Sequence, residues 1–149
     1  MQWFFILLAL FAGSLMPVQA GINLQLRDTA MGGDSSLAAL VSFAVGTLGL
    51  VAWCLVMRIP LPAWADLAQT RAWHWSGGLL GAFFVTATIL LAPRLGATTM
   101  LALLAAGQML ASMLLDHYGL LGYPVHEASS MRMLGAALIV VGVTLVRVF

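Results

Sequence analysis

The chain has 149 residues, of which 62% are hydrophobic and 7% charged, and its formal net charge at pH 7 is +1. This composition is typical of an integral membrane protein and leaves no segment for a separate soluble domain. The nearly neutral charge argues against nucleic-acid binding, which needs a basic patch. The single cysteine, Cys54, cannot form a disulfide within the chain.

Five apolar segments reach or approach the roughly 17–25 residues that are needed to cross a bilayer. They cover residues 3–26, 37–57, 74–92, 97–115 and 131–146. We therefore predict an all-α integral membrane protein with five transmembrane helices in a single domain, residues 1–149. No internal repeat is visible, so the inverted symmetry common in secondary transporters would require two antiparallel chains and a ten-helix bundle.

The first segment contains a proline followed by two amides. Pro17 is predicted to kink the helix, because its ring removes one backbone hydrogen bond. Gln19 and Asn23 are four residues apart and share one helical face. Their amides either satisfy the backbone that the kink breaks, or line a polar cavity and bind substrate. After this segment, Ser35 or Ser36 is the predicted N-cap of the second helix.

The fourth segment carries a polar stripe at successive steps of four residues: Gln108, Ser112 and Asp116. At 1.5 Å per residue, Gln108 lies about 3 Å from the membrane midplane and Asp116 about 15 Å from it. Gln108 and Ser112 are therefore candidate substrate-binding residues, although Gln108 is equally suited to an interhelical hydrogen bond. Asp116 and His117 form either an interfacial ion pair or cap, or a gate that handles protons.

Six arginines and no lysine carry the topology signal. Orientation is normally set by an excess of basic residues in short cytoplasmic loops. With five spans, three arginines fall on each side: Arg58, Arg71 and Arg132 on the side of the N-terminus, and Arg27, Arg94 and Arg147 on the other. This balance predicts dual topology, with antiparallel pairing to a second copy or to a paralogous partner.

Small residues in the last segment favour close helix packing. Gly135 and Gly142 are the predicted dimer contact. The sequence has no metal-ligand cluster, no nucleophile paired with a base and no nucleotide-binding loop. We therefore expect no cofactor, no metal and no enzymatic activity.

Several short segments together resemble one family of membrane proteins. They are MPVQAGIN at 16–23, AALVSF at 38–43, VGT at 45–47, GGLLGAFFV at 77–85, APRLGA at 92–97, GQ at 107–108 and LDHYGLLG at 115–122. Together they resemble the YdcZ-like family, a five-helix branch of the drug/metabolite transporter superfamily. The segment GAALIVVGV at 135–143 is similar to the dimerising helix of small multidrug resistance transporters.

The resemblance implies an exporter in the bacterial inner membrane that works as an antiparallel homodimer or paired heterodimer. The chain departs from the small multidrug resistance pattern at one point, because its first segment has no membrane-embedded glutamate. Proton-coupled cation exchange therefore cannot be transferred from those proteins. We expect a secondary transporter of small organic molecules. The alternatives are a non-transporting membrane scaffold or partner subunit and a passive channel.

Overall fold

The structure, a computed structural model, describes residues 1–149 and is all-helical. Its helices are α1 (Gln2–Ala30), α2 (Ser35–Val56), α3 (Trp64–Ala68), α4 (Ser76–Leu95), α5 (Ala97–Tyr118) and α6 (Ser130–Val148). Short 3₁₀ turns cover Ala72–Trp75 and Leu120–Gly122. Apart from the short α3, each helix is long and apolar enough to cross a membrane. The predicted five-span architecture is confirmed.

Helix α1 extends beyond the predicted first span. It ends at Ala30 rather than near residue 26, and its last turns include Arg27 and Asp28. The two side chains form an ion pair at 2.7 Å, which neutralises the charge within the helix. Pro17 lies inside this helix, which continues through it. The bend at Pro17 stays a prediction.

The chain divides into an amino-terminal unit, Met1–Pro93, and a carboxy-terminal unit, Arg94–Phe149. In the amino-terminal unit, α1 and α2 pack side by side across a tight turn. The N-cap of α2 is Asp34, whose carboxylate accepts from the backbone N–H groups of Ser36 and Leu37 at 2.8 and 2.9 Å. The prediction of Ser35 or Ser36 was wrong by one or two residues, because the Asp34 carboxylate satisfies two free helix donors at once.

Two alanines of α2 form the floor of the core in this unit. Ala38 and Ala39 are buried under Ile89 of α4, and Leu26, Met31 and Val85 pack around them. The small side chains of α2 leave room for the side chain of Ile89. The large apolar side chains on the outer faces are exposed, as expected of surfaces that contact lipid.

The carboxy-terminal unit is a hairpin of α5 and α6. Gly119 ends α5 in the left-handed conformation, with φ of 59°. A Cβ atom there would lie 2.7 Å from Cγ2 of Val125, so the turn requires glycine on both counts. Ser129 begins α6 by accepting from the backbone N–H of Arg132 at 3.4 Å.

Candidate functional site: two clefts with polar groups

A cleft of about 220 Å³ opens in the amino-terminal unit, and we call it the polar cleft. Its lining comes from all three long helices of the unit: Gln19 of α1, Ser42, Phe43, Gly46, Thr47 and Leu50 of α2, and Val85 of α4. Gln19, one of the predicted substrate-binding residues, therefore lines this cleft. Ser42 and Thr47 were not predicted, although their place near the middle of an apolar helix was a signal that could have found them.

The polar groups of this cleft lie near half the depth of the helices. From the bounds of α1 and a rise of 1.5 Å per residue, Gln19 is about 5 Å from the midpoint of its helix. Ser42 and Thr47 are about 5 and 2 Å from the midpoint of α2. Amide and hydroxyl groups are thus brought together where the surrounding medium is hydrocarbon.

Asn23 lies one turn beyond Gln19 on α1 and is only 3% exposed. Its side-chain Nδ2 is buried and has no hydrogen-bond partner. An amide desolvated in this way is costly unless something pairs with it. The buried hydroxyl of Thr88 in the same unit shows the contrast, because it donates to the carbonyl of Val85 in its own helix at 2.7 Å. Asn23 is therefore a buried polar side chain that is open to an added partner.

Arg27 continues the same face of α1 by a further four residues. Its guanidinium Nη1 donates to the backbone carbonyl of Ile89 in α4 at 3.5 Å. Its side chain is only 16% exposed, although residue 27 lies just beyond the predicted first span. From its position in the sequence, Arg27 was predicted to act only in membrane topology.

A second cleft, of about 260 Å³, lies between α5 and α6 in the carboxy-terminal unit, and we call it the α5–α6 cleft. It is lined by Met109, Ser112, Met113 and Asp116 of α5 and by Arg132, Gly135, Ala136 and Ile139 of α6. Of the predicted stripe, Ser112 and Asp116 share this cleft. Gln108 does not line it and is exposed on α5.

Asp116 takes the ion-pair arrangement that the sequence left open. Its Oδ2 lies 2.9 Å from Nη2 of Arg132, sixteen residues later. The second arm of Arg132 donates to the carbonyl of His126 at 3.0 Å, and the N–H of His126 donates to the carbonyl of Asp116 at 2.9 Å. These bonds tie the connecting loop to the ends of α5 and α6.

His117 lies on a different face of α5 from Asp116. Its ring lines an apolar cleft of about 430 Å³, together with residues such as Met133 and Val140. Its Nδ1 accepts from the backbone N–H of Ala128 at 3.2 Å, so a neutral ring carries its proton on Nε2. The structure therefore does not bring Asp116 and His117 together as one gate in this unit, and their role in coupling stays a prediction.

The two glycines of the predicted dimer contact lie on α6. Gly135 lines the α5–α6 cleft, and a Cβ atom at Gly135 or Gly142 would meet nothing within 4 Å. Both positions can therefore accept a close neighbour. No group of three or more His, Cys, Asp or Glu side chains that could hold a metal ion is present.

Comparison with known proteins identifies the family of this chain. Residues 4–145 match the model of a family described as "Putative inner membrane exporter, YdcZ". The chain is also 32% identical over 135 residues to inner membrane protein YdcZ of Escherichia coli K12, which covers 87% of this chain and 90% of that protein. No solved structure matches the chain. The chain therefore belongs to the YdcZ family and is a multi-pass protein of the inner membrane, and the family's description supports a role in transport.

Proposed function

We propose that this protein is a secondary transporter that exports small organic molecules by alternating access, at a site between two antiparallel copies. The polar cleft carries the proposal. It gathers Gln19, Ser42 and Thr47 near half the membrane depth, and the buried Asn23 amide lies one turn away with its Nδ2 unpaired. Binding at the midplane is the common arrangement in secondary transporters.

The chemistry of the cleft favours an uncharged or zwitterionic substrate. All of its polar side chains are neutral amides and hydroxyls. A lone cation would be desolvated there without a counter-charge, which is unfavourable. A molecule that presents hydroxyl, amide or paired charged groups can instead exchange its water for bonds to Gln19 and Asn23.

The carboxy-terminal unit supplies the argument for a second copy. Gln108 is exposed and lies about 1 Å from the midpoint of α5. An amide at that depth needs a polar partner rather than lipid. A second copy or a substrate held between copies would provide it, and Gly135 and Gly142 would allow the close approach.

The ion pairs leave the topology argument intact. Arg27 and Arg132 each have a carboxylate partner, and they count for opposite sides of the membrane. Arg58 and Arg71 remain on one side, and Arg94 and Arg147 on the other. Dual topology within the drug/metabolite transporter pattern therefore remains part of the proposal.

The polar cleft also bears on the two alternatives. A scaffold subunit would favour close packing between Gln19 and Thr47, where a cleft of about 220 Å³ lies instead. A passive channel needs polar groups along its length. The polar groups here are confined to a short stretch around half depth, which suits a binding site better than a pore.

The test is a thermal-shift screen of neutral and zwitterionic compounds on purified protein, since a molecule that binds only the folded state stabilises it. For a compound that stabilises the wild type, Gln19→Leu should weaken binding about tenfold, or about 1.4 kcal/mol. Gln25→Leu is the matched control, because Gln25 is an exposed residue of α1 outside the cleft. Equal binding by both variants would remove the polar cleft from the proposal.

The same screen separates the two roles of Gln108. Membrane interhelical hydrogen bonds average about 0.6 kcal/mol, so a packing role predicts a small stability loss in Gln108→Leu with binding retained. A binding role predicts a folded protein whose affinity falls about tenfold.

The dimer has its own test. C-terminal reporters should give signal on both sides of the membrane, and two lysines added at the N-terminus should place that terminus in the cytoplasm. Gly142→Leu should abolish the cross-linked dimer in detergent. A reporter signal on one side only would contradict the antiparallel homodimer and point to a paralogous partner.

A further inference from the structure

One face of α4 forms part of the wall of the polar cleft. Val85 lines the cleft, and Ile89, one turn later, is fully buried on Ala38 and Ala39 of α2. Nearer the start of the helix, Gly81 lies beside the Phe43 ring, where a Cβ atom would be 3.3 Å from Cζ. A contact that holds α4 in place at Ile89 therefore also holds Val85 in the wall of the cleft.

The backbone of α4 is incomplete at this point. In an α-helix each N–H donates to the carbonyl four residues earlier, and proline has no N–H. Pro93 lies inside α4, so the carbonyl of Ile89 loses its regular donor. Ile89 is 0% exposed, so solvent does not replace that donor. The Nη1 of Arg27 does, from 62 residues away in the chain.

Arg27 is arranged to leave one arm free for this task. Its Nε and Nη2 both lie 2.7 Å from Oδ1 of Asp28, so its charge is balanced locally. The remaining arm points to α4. A planar guanidinium can serve two partners at once in this way, whereas an ammonium group acts as a point charge.

We propose that Arg27 is a positioning residue for transport: it holds α4 as the wall of the polar cleft by donating to the carbonyl that Pro93 frees. The functional meaning of this wall rests on the function proposed above. The contact of 3.5 Å is at the long limit of a hydrogen bond. A contact of this length is weak enough to break when access to the cleft alternates.

The experiment reads the seating of α4 directly. In a Cys54→Ala background, Ala39→Cys places a thiol under Ile89, where Ala39 is only 3% exposed. A methanethiosulfonate reagent can label it only when α4 lifts. Labelling rates are compared in detergent for four chains: the background, Arg27→Met, Pro93→Ala and the double variant. Methionine keeps an unbranched side chain of about the length of the aliphatic part of arginine and removes every donor.

Arg27→Met should accelerate labelling about tenfold when Pro93 is present, and less than about twofold in Pro93→Ala, where the substituted alanine supplies its own N–H to the Ile89 carbonyl. Equal acceleration in both backgrounds, or none in either, would overturn the proposal. An effect of Arg27 on membrane orientation would be the same in both backgrounds, so it cannot imitate the expected result.

If Ala39→Cys does not fold, hydrogen exchange of residues 81–90 is measured on the same Arg27 and Pro93 variants with Ala39 intact. Exchange should rise in Arg27→Met and return towards the background in the double variant, and parallel rises would overturn the proposal. Neither measurement uses a substrate. Their failure would leave the transport proposal standing, and a failed ligand screen would leave this contact standing.

Discussion

Pro17 and Pro93 lie inside two transmembrane helices of the same unit, but their surroundings differ. Each removes the regular donor from the carbonyl four residues earlier, Gly13 or Ile89. Ile89 is fully buried and receives a donor from Arg27. Gly13 is exposed, and a Cβ atom there would meet nothing within 4 Å.

This difference distinguishes the two prolines. The carbonyl that Pro93 frees is satisfied within the fold, whereas the carbonyl that Pro17 frees is open to a partner. Gly13 is about 5 Å from the midpoint of α1, where lipid offers no hydrogen bond. The carbonyl of Gly13 lacks its regular helix donor at that depth. It therefore favours contact with a second copy, a substrate or water in the assembled protein. Pro93, by contrast, is accommodated entirely within the amino-terminal unit.

The largest effect on stability is expected at the Pro93 site. Arg27→Met leaves the buried Ile89 carbonyl without a donor, which should lower the free energy of unfolding by about 1–3 kcal/mol. Arg132→Met is the matched control, because its ion pair with Asp116 is partly exposed and should be worth about 1 kcal/mol or less. Unfolding of both variants in detergent would be followed by circular dichroism. A larger loss in Arg132→Met would reverse the order that burial predicts.

A smaller effect of opposite sign is expected from removing each proline. Pro17→Ala restores an N–H for Gly13 and should stabilise the protein by about 1 kcal/mol. Pro93→Ala should gain less, because Arg27 already donates to Ile89. The same unfolding measurement compares the stabilisation of the two variants. Equal stabilisation would mean that the carbonyls of Gly13 and Ile89 lack a donor to the same extent. Reduced ligand binding in a more stable Pro17→Ala variant would assign Pro17 to function.

Much of this fold was readable from the sequence, and the reasons are local. Hydropathy predicts the five spans, because each is an apolar run long enough to cross a bilayer. The face shared by Gln19 and Asn23 followed from helical spacing alone. These features depend on residues a few positions apart.

The contacts that the sequence did not reveal join distant residues. Arg27 meets Ile89 across 62 residues, and Asp116 meets Arg132 across sixteen. A charged residue near the end of an apolar segment usually indicates the start of a loop. The local sequence does not show that the ion pair with Asp28 lets Arg27 remain within the helix. One signal was available: Pro93 identifies Ile89 as a carbonyl in need of a donor. Which arginine supplies that donor depends on packing.

The smallest expected effect concerns the contact of α4 with α2 at Gly81, about two turns before Ile89. Replacing a helical glycine by alanine usually stabilises a helix by about 0.5–1 kcal/mol. Gly78→Ala should show this gain, because a Cβ atom there meets nothing within 4 Å. Gly81→Ala should show little or none, since its Cβ would lie 3.3 Å from Cζ of Phe43 and the ring must shift. Unfolding in detergent would measure both, with Phe43→Leu combined with Gly81→Ala as the relieving variant. If Gly81→Ala gains as much as Gly78→Ala, the Phe43 contact does not hold α4, and Ile89 with Arg27 would be its main attachment to the unit.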